Sequence, residues 1–289
     1  MDKDKKVAVV TGGSRGIGLA TAKILAANGY RTYCFARTKP EEEIENIQFV
    51  ECDMTNLFDY EVTARMWLAN VGRVDLLINN AGMGICGAAE CMSDEDVRKQ
   101  LDLNITAFEK TLRMFVPYVR SKKGRIINVS SFAAYTPLPF QAHYSATKAY
   151  VLAFSKALAM ELKPFDTFVT AMVFGDANTG FTAARKIIEG KKFIYGDYVK
   201  EYAKKVAKDE QNGYSAEKCA EAIYKVITDE NPPLVKVVGG KYKFFAFLRK
   251  ILPAHAVDSI VFDNYGDKRR YKRLQDEKAR GFNMDRYDF

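Results

Sequence analysis

Histidine is almost missing from this chain. His143 and His255 are the only two in 289 residues, which excludes a histidine-built metal centre. The five cysteines, Cys34, Cys52, Cys86, Cys91 and Cys219, are odd in number, and no two stand in CxxC spacing. Neither a zinc ribbon nor a dithiol redox site is expected, and the cysteines read as buried reduced thiols of a cytosolic protein. No uninterrupted apolar run approaches the ~20 residues of a membrane-spanning helix. The opening residues 1–6 (MDKDKK) are polar where a signal peptide would be apolar. A secreted or integral membrane protein is therefore not expected, and a cytoplasmic one is. Internal repeats, low-complexity tracts and Pro/Gly-rich linkers are missing too, so nothing divides the chain into modules.

What remains is an ordinary globular mix, 48% hydrophobic and 28% charged, with ample length for a large core. The net charge of +8 is uneven, because residues 241–289 hold 12 Lys plus Arg against 7 Asp plus Glu. A basic tail suits an anionic membrane surface, an anionic substrate, nucleic acid or plain solvent. Nucleic acid is the poorest fit. The cluster Lys268, Arg269, Arg270, Lys272 and Arg273 comes with no recognition motif, and acids follow it.

Strand and helix patterns alternate. Residues 7–10, 32–36, 48–52, 74–78, 125–129, 168–173 and 234–238 read as strands. Residues 17–27, 57–71, 93–101, about 104–120, 144–162 and 215–228 read as helices, the last capped by Ser215. Continuous apolar strands between helices imply a parallel sheet covered on both faces. Right-handed crossovers then favour a doubly wound α/β sheet of the Rossmann type. The expected organisation is one catalytic domain over residues 1–240, with a lid at 175–213, followed by a basic helical extension over 241–289.

The first strand runs into Thr11-Gly12-Gly13-Ser14-Arg15-Gly16-Ile17-Gly18 and then a helix. Glycines allow a tight turn and close approach of the backbone to a pyrophosphate, and the helix N-terminus offers free N–H groups. Gly12, Ser14, Arg15, Gly16, Ile17 and Gly18 are therefore expected to bind a dinucleotide. An acid at the end of the second strand would accept from the ribose 2′-hydroxyl of NAD. Here the chain reads Phe35-Ala36-Arg37-Thr38, with no acid until Glu41. Arg37, with Arg15, suits a 2′-phosphate instead, so NADP(H) is expected over NAD(H).

Tyr144 and Lys148 stand one helical turn apart and share a face. A free phenol, pKa about 10, is a poor acid–base group at neutral pH, and a neighbouring ammonium lowers it. Tyr144 could then give a proton to a carbonyl oxygen while Ser131 holds that oxygen. Asn79-Asn80-Ala81-Gly82, Asn104, Ser130-Ser131 and Tyr144-Ser145-Ala146-Thr147-Lys148, together with the glycine turn, resemble the short-chain dehydrogenase/reductase family in order and spacing. The resemblance extends over residues 6–238. It implies that Lys148 also holds the nicotinamide ribose and that Asn104 supports a proton-relay water. It assigns Asp53 to the adenine, Asn80 to the adenosine ribose and Thr179 to the carboxamide, and Met54 is expected among the cofactor-binding residues. Phe174 stands where the family usually has proline. Ser131, thirteen residues before Tyr144 as in the family, is preferred to Ser130. The resemblance also implies a homodimer or homotetramer built on the helices that carry Asn104 and Tyr144.

Met83, Ile85, Tyr135, Leu138 and Phe140, with the aromatics between Phe181 and Tyr202, surround the expected carbonyl position or pack in a core or subunit contact. An apolar site suits a small lipophilic ketone, aldehyde or alcohol. Residues 242–253 (YKFFAFLRKILP) form an amphipathic helix that either covers a sheet edge or subunit or touches an anionic membrane. The leading expectation is an NADP(H)-dependent carbonyl–alcohol oxidoreductase. A 3-oxoacyl-carrier-protein reductase is the alternative enzyme, and a non-catalytic NADP-sensing regulator the alternative class. No metal is expected.

Overall fold

The computed structural model describes residues 5–40, 43–189, 195, 197–266, 268, 271, 272 and 276. In chain order the first half comprises β1 (Val7–Thr11), α1 (Gly16–Ala27), β2 (Arg31–Ala36), β3 (Ile47–Glu51), α2 (Leu57–Val71), β4 (Leu76–Asn79), β5 (Ile85–Gly87), α3 (Asp94–Leu101) and α4 (Ala107–Ser121). Then come β6 (Arg125–Ser131), α5 (Ala142–Leu162), β7 (Phe168–Phe174), β8 (Ala177–Asn178), α6 (Gly180–Ala183), β9 (Lys186–Ile188) and α7 (Tyr198–Gln211). The chain continues through β10 (Tyr214–Ser215), α8 (Ala216–Thr228), β11 (Val235–Val238), α9 (Gly240–Ile251) and α10 (Ala254–Tyr265).

Seven strands form one parallel sheet in the order β11-β7-β6-β4-β1-β2-β3. The period-two alternation of β1 divides its side chains between two cores. Val7 and Val9 join Phe35, Trp67, Phe115 and Leu158 on one face, whereas Ala8 and Val10 join Leu25, Cys34 and Ile223 on the other. Both faces are apolar because helices cover both, and for that reason the strands read as unbroken hydrophobic runs. Edge-to-face contacts of Phe35 with Tyr60, Trp67 and Phe115 order the first core.

From β1 the chain winds outward to β2 and β3, then returns to build β4 on the other side of β1. This reversal opens a crevice at the C-terminal ends of β1 and β4, where open α/β sheets bind ligands. The ends of β6 and β7 border the same crevice.

Three departures from the sequence reading are local. β4 begins at Leu76, two residues late; before it, the Asp75 N–H donates to the Val7 carbonyl (2.9 Å) and its carboxylate accepts from the Val7 N–H (2.8 Å) and from Arg73 Nε (2.7 Å). The helices over 93–120 join through a π turn at Asp102–Thr106. The extension supplies two helices, α9 and α10, whose inner faces line the crevice. Their inner faces therefore pack over the crevice, while their outer faces remain at the surface.

Candidate active site

The glycine turn is shaped by close contacts. Gly12 and Gly16 adopt φ of +65° and +55°, conformations that side chains disfavour. A Cβ on Gly18 would lie 2.3 Å from the Gly12 carbonyl oxygen. Asn80 fastens the turn to the end of β4. Its Nδ2 donates to the Thr11 and Gly12 carbonyls (3.1 and 3.2 Å), while Thr11 Oγ1 accepts from the Asn80 and Ala81 N–H groups, each at 3.1 Å. Helix α1 starts at Gly16 with no side-chain cap and no acid in its first turn. Its first N–H groups therefore suit an anion, and a dinucleotide pyrophosphate fits this cradle.

Gly12, Ser14, Arg15, Gly16, Ile17 and Asn80 line the crevice, with Gly18 packed beneath them. Arg37, Asp53 and Met54 line the same end, and the Arg15 and Arg37 side chains are exposed. Burial would raise the Asp53 carboxyl, but hydrogen bonds from Thr55 and the nearby Arg37 and Lys99 outweigh it and hold the group below its ordinary range.

Farther along the crevice stand Ser131, at the end of β6, and Tyr144 and Lys148, in the first two turns of α5. Helix α5 is fixed to β6 by Ser130 Oγ, which donates to the Lys148 carbonyl (2.9 Å). Lys148 is 6% exposed, and its Nζ donates to the Val129 carbonyl (3.1 Å). The same nitrogen lies 5.8 Å from the Tyr144 ring centre. Burial lowers the Lys148 ammonium to about 8 and raises the Tyr144 phenol to about 12, against a lowering hydrogen bond with Ser131. The expected acidification of Tyr144 by Lys148 is thus absent here. Burial disfavours the phenolate, and the amine donates to a backbone carbonyl. The phenol is therefore protonated at neutral pH.

Asn104 comes from the π turn. Such a turn inserts one residue into the helical winding and re-aims the side chains around it. Asn104 is 3% exposed. Its Oδ1 accepts from the Met83 N–H (2.8 Å), and its Nδ2 donates to the Met83 carbonyl (2.9 Å) and Thr147 Oγ1 (3.0 Å). A Cβ on Gly82 would meet Lys148 Nζ at 3.4 Å and Asn104 Oδ1 at 3.5 Å, so these two polar ends share one space.

A model of the family described as short chain dehydrogenase matches residues 6–189. The chain belongs to the short-chain dehydrogenase family. It is 37% identical over 237 residues to the 3-ketodihydrosphingosine reductase of Bacteroides thetaiotaomicron, covering 81% of this chain and 88% of that one. A 3-oxoacyl-[acyl-carrier-protein] reductase of Synechocystis is 35% identical over 188 residues, 61% of this chain and 76% of its own. Among solved structures, a short-chain dehydrogenase from Streptomyces avermitilis superposes with a TM-score of 0.75 at 26% identity, covering 99% of this chain and 100% of that one.

In this short-chain dehydrogenase, Thr179 lines the crevice and packs beside Gly16, where an added Cβ would meet the Thr179 Cβ at 3.5 Å. Phe174, in the usual proline position, continues β7 by one residue and is buried. Of the side chains expected around the carbonyl, Met83, Leu138 and Phe181 line the crevice. Phe140 and Tyr202 instead pack with Cys86 and Val199 in a separate small core. Phe193 and Ile194 lie outside the described residues.

Sequence reasoning missed two features. Arg185 and Glu210 form a buried ion pair (2.5 Å) near Tyr144, acting on its phenol in opposite senses. Tyr242, Phe245, Leu248 and Leu252 of the tail, with Val257 and Val261 of α10, close the far end of the crevice. The tail's amphipathic pattern announced a buried face without naming its partner. Gly175 supplies the partner's foothold. A Cβ there would sit 1.9 Å from the Tyr242 ring, whose hydroxyl donates to Asp176. Gly175→Ala is expected to expel Tyr242, lowering stability by about 1–3 kcal/mol as overpacking does. Limited proteolysis should then cut within residues 240–265 faster than in the parent; equal rates would contradict the wedge.

Proposed function

We propose that the chain is an NADPH-dependent reductase of long-chain lipophilic ketones, with 2-amino ketones of the 3-ketodihydrosphingosine type as its substrate class. The observation that carries this reading is the crevice itself, about 930 Å³ in volume. It brings together the uncapped α1 N-terminus with Arg15 and Arg37, the side chains of Tyr144 and Ser131, and an apolar wall from α9 and α10. The curated relative from Bacteroides thetaiotaomicron supports the substrate class.

A nicotinamide cofactor, when bound, would supply the hydride. Arg37 and Arg15 would hold the 2′-phosphate, the turn from Gly12 to Gly18 the pyrophosphate, and Asp53, Met54 and Asn80 the adenosine. Thr179 would hold the carboxamide, and Lys148 the adjoining ribose. Ser131 donates to the substrate carbonyl oxygen and fixes its place. Tyr144 gives its phenolic proton to that oxygen as the carbon is reduced. Lys148, beside Asn104, passes a proton back toward Tyr144. The alkyl chain lies against Phe245, Leu248 and Val257. The reading includes a homodimer or homotetramer in the cytoplasm. Phe58, Val62, Met66 and Met160 are exposed apolar side chains away from the crevice that could serve such contacts.

The test is a rate comparison. Oxidation of NADPH should accompany reduction of 3-ketodihydrosphingosine, with NADH a poor substitute. Arg37→Ala should lower kcat/KM for NADPH about ten- to a hundredfold, the range of a lost charged hydrogen bond, and leave NADH nearly unchanged. Equal use of both cofactors by the parent would refute the cofactor assignment. A second reading, reduction of 3-oxoacyl-carrier-protein, is favoured by Lys205, Lys241 and Arg249 along the crevice, which suit an acidic carrier. Faster turnover of an acetoacetyl thioester than of the amino ketone would select it. A sensor role without turnover has no need of four convergent polar side chains.

A further inference from the structure

Helix α9 has two apolar faces, and the crevice uses only one. Tyr242, Phe245 and Leu248 turn inward, whereas Phe244, Phe247 and Ile251 are 61%, 60% and 63% exposed. Their i, i+3, i+7 spacing makes a single stripe along the helix. Three large exposed apolar side chains in one stripe differ from the scattered ones common on any surface.

The helix carries Lys241, Lys243, Arg249 and Lys250 and no acid. Lys243 and Lys250, both exposed, are seven residues apart and run along one edge of the stripe. A stripe of Phe and Ile bordered by lysines has the chemistry of a helix lying in the interface of an anionic bilayer. A second copy of this chain suits it less, since symmetric pairing would bring the same lysines face to face without an acid on the helix to answer them. No described helix is long and apolar enough to cross a membrane, so the contact is with the surface.

Position adds to this. The inner face of α9 and the facing side of α10 line the crevice, and Ile260 both lines it and is 38% exposed at its rim. The crevice thus reaches the surface beside the helices that carry and support the stripe. We propose that the Phe244–Phe247–Ile251 stripe docks the chain onto an anionic membrane surface. This surface stands independently of which ketone is reduced.

Flotation of the full-length protein with vesicles tests it. With a roughly 7:3 mixture of phosphatidylcholine and phosphatidylserine, most of the chain should float, and with phosphatidylcholine alone little should. The triple variant Phe244→Ser, Phe247→Ser, Ile251→Ser should float at least about fivefold less while keeping the parent's thermal midpoint, since its sites are exposed. Lys243→Glu with Lys250→Glu, which leaves the apolar stripe intact, should also lose binding and decides the matter if the triple variant melts early. Failure of the intact chain to float, or undiminished flotation of both variants, overturns the proposal. So does a triple variant that becomes monomeric in light scattering where the parent is not, because the stripe would then join two copies.

Discussion

Replacing Tyr144 by phenylalanine should lower kcat for ketone reduction by about 10²–10⁴-fold, the usual worth of a positioned proton donor. The substitution removes one oxygen and keeps the ring, which lies 5.8 Å from the Phe181 ring in the wall of the crevice. Packing should survive, and NADPH affinity, measured by quenching of protein fluorescence, should change less than about threefold, because the phosphate-binding turn is remote from the phenol. Burial raises the phenol to about 12, so the acid remains protonated throughout the neutral range. The parent's reductive kcat should therefore show no limb from phenol ionisation between about pH 6 and 10. Retained turnover in the variant would remove Tyr144 from the reaction.

Lys148→Met should act in opposite directions on rate and stability. The ammonium is buried and its pKa falls from 10.5 to about 8. That drop corresponds to roughly 3 kcal/mol of unfavourable burial at neutral pH, where the amine is protonated both folded and unfolded. Methionine has similar length and no charge, though it forfeits the hydrogen bond to Val129, worth about 1 kcal/mol. The variant should therefore melt a few degrees higher at pH 7 while losing about a hundredfold or more in kcat. The sign has a pH signature. The cost is full below about pH 8 and disappears as pH rises toward 10.5, where the parent's amine is neutral in both states. The gap in melting temperature should accordingly narrow over that window. A variant less stable than the parent at pH 7 would show that the charge is better accommodated than its burial implies.

The parallel sheet was legible because its strands are buried on both faces, which leaves little freedom in residue type from Val7 to Val10 or from Ile126 to Val129. The glycine turn was legible because an added methyl at Gly18 would collide with backbone. The starting point of β4 was not, since Val74 is apolar and fully buried like the strand residues that follow it, although it precedes the ladder. Spacing places Tyr144 beside Lys148 but carries no information on how much water surrounds them, and it is burial that sets the direction of the tyrosine shift. Amphipathic periodicity in the tail shows that one face is covered. What covers it depends on Gly175, some seventy residues earlier in the chain, and a pairwise contact of that range leaves no local trace.

The π turn at Asp102–Thr106 has a last consequence. Because it holds one residue more than ordinary winding would, the number of amino acids between Met83 and Ser121 is set as firmly as their identities. Losing one residue there would let the helix wind evenly, rotate all that follows by about a quarter turn and carry Asn104 away from Lys148. This stretch can accept exchanges of side chain far more readily than any change of length.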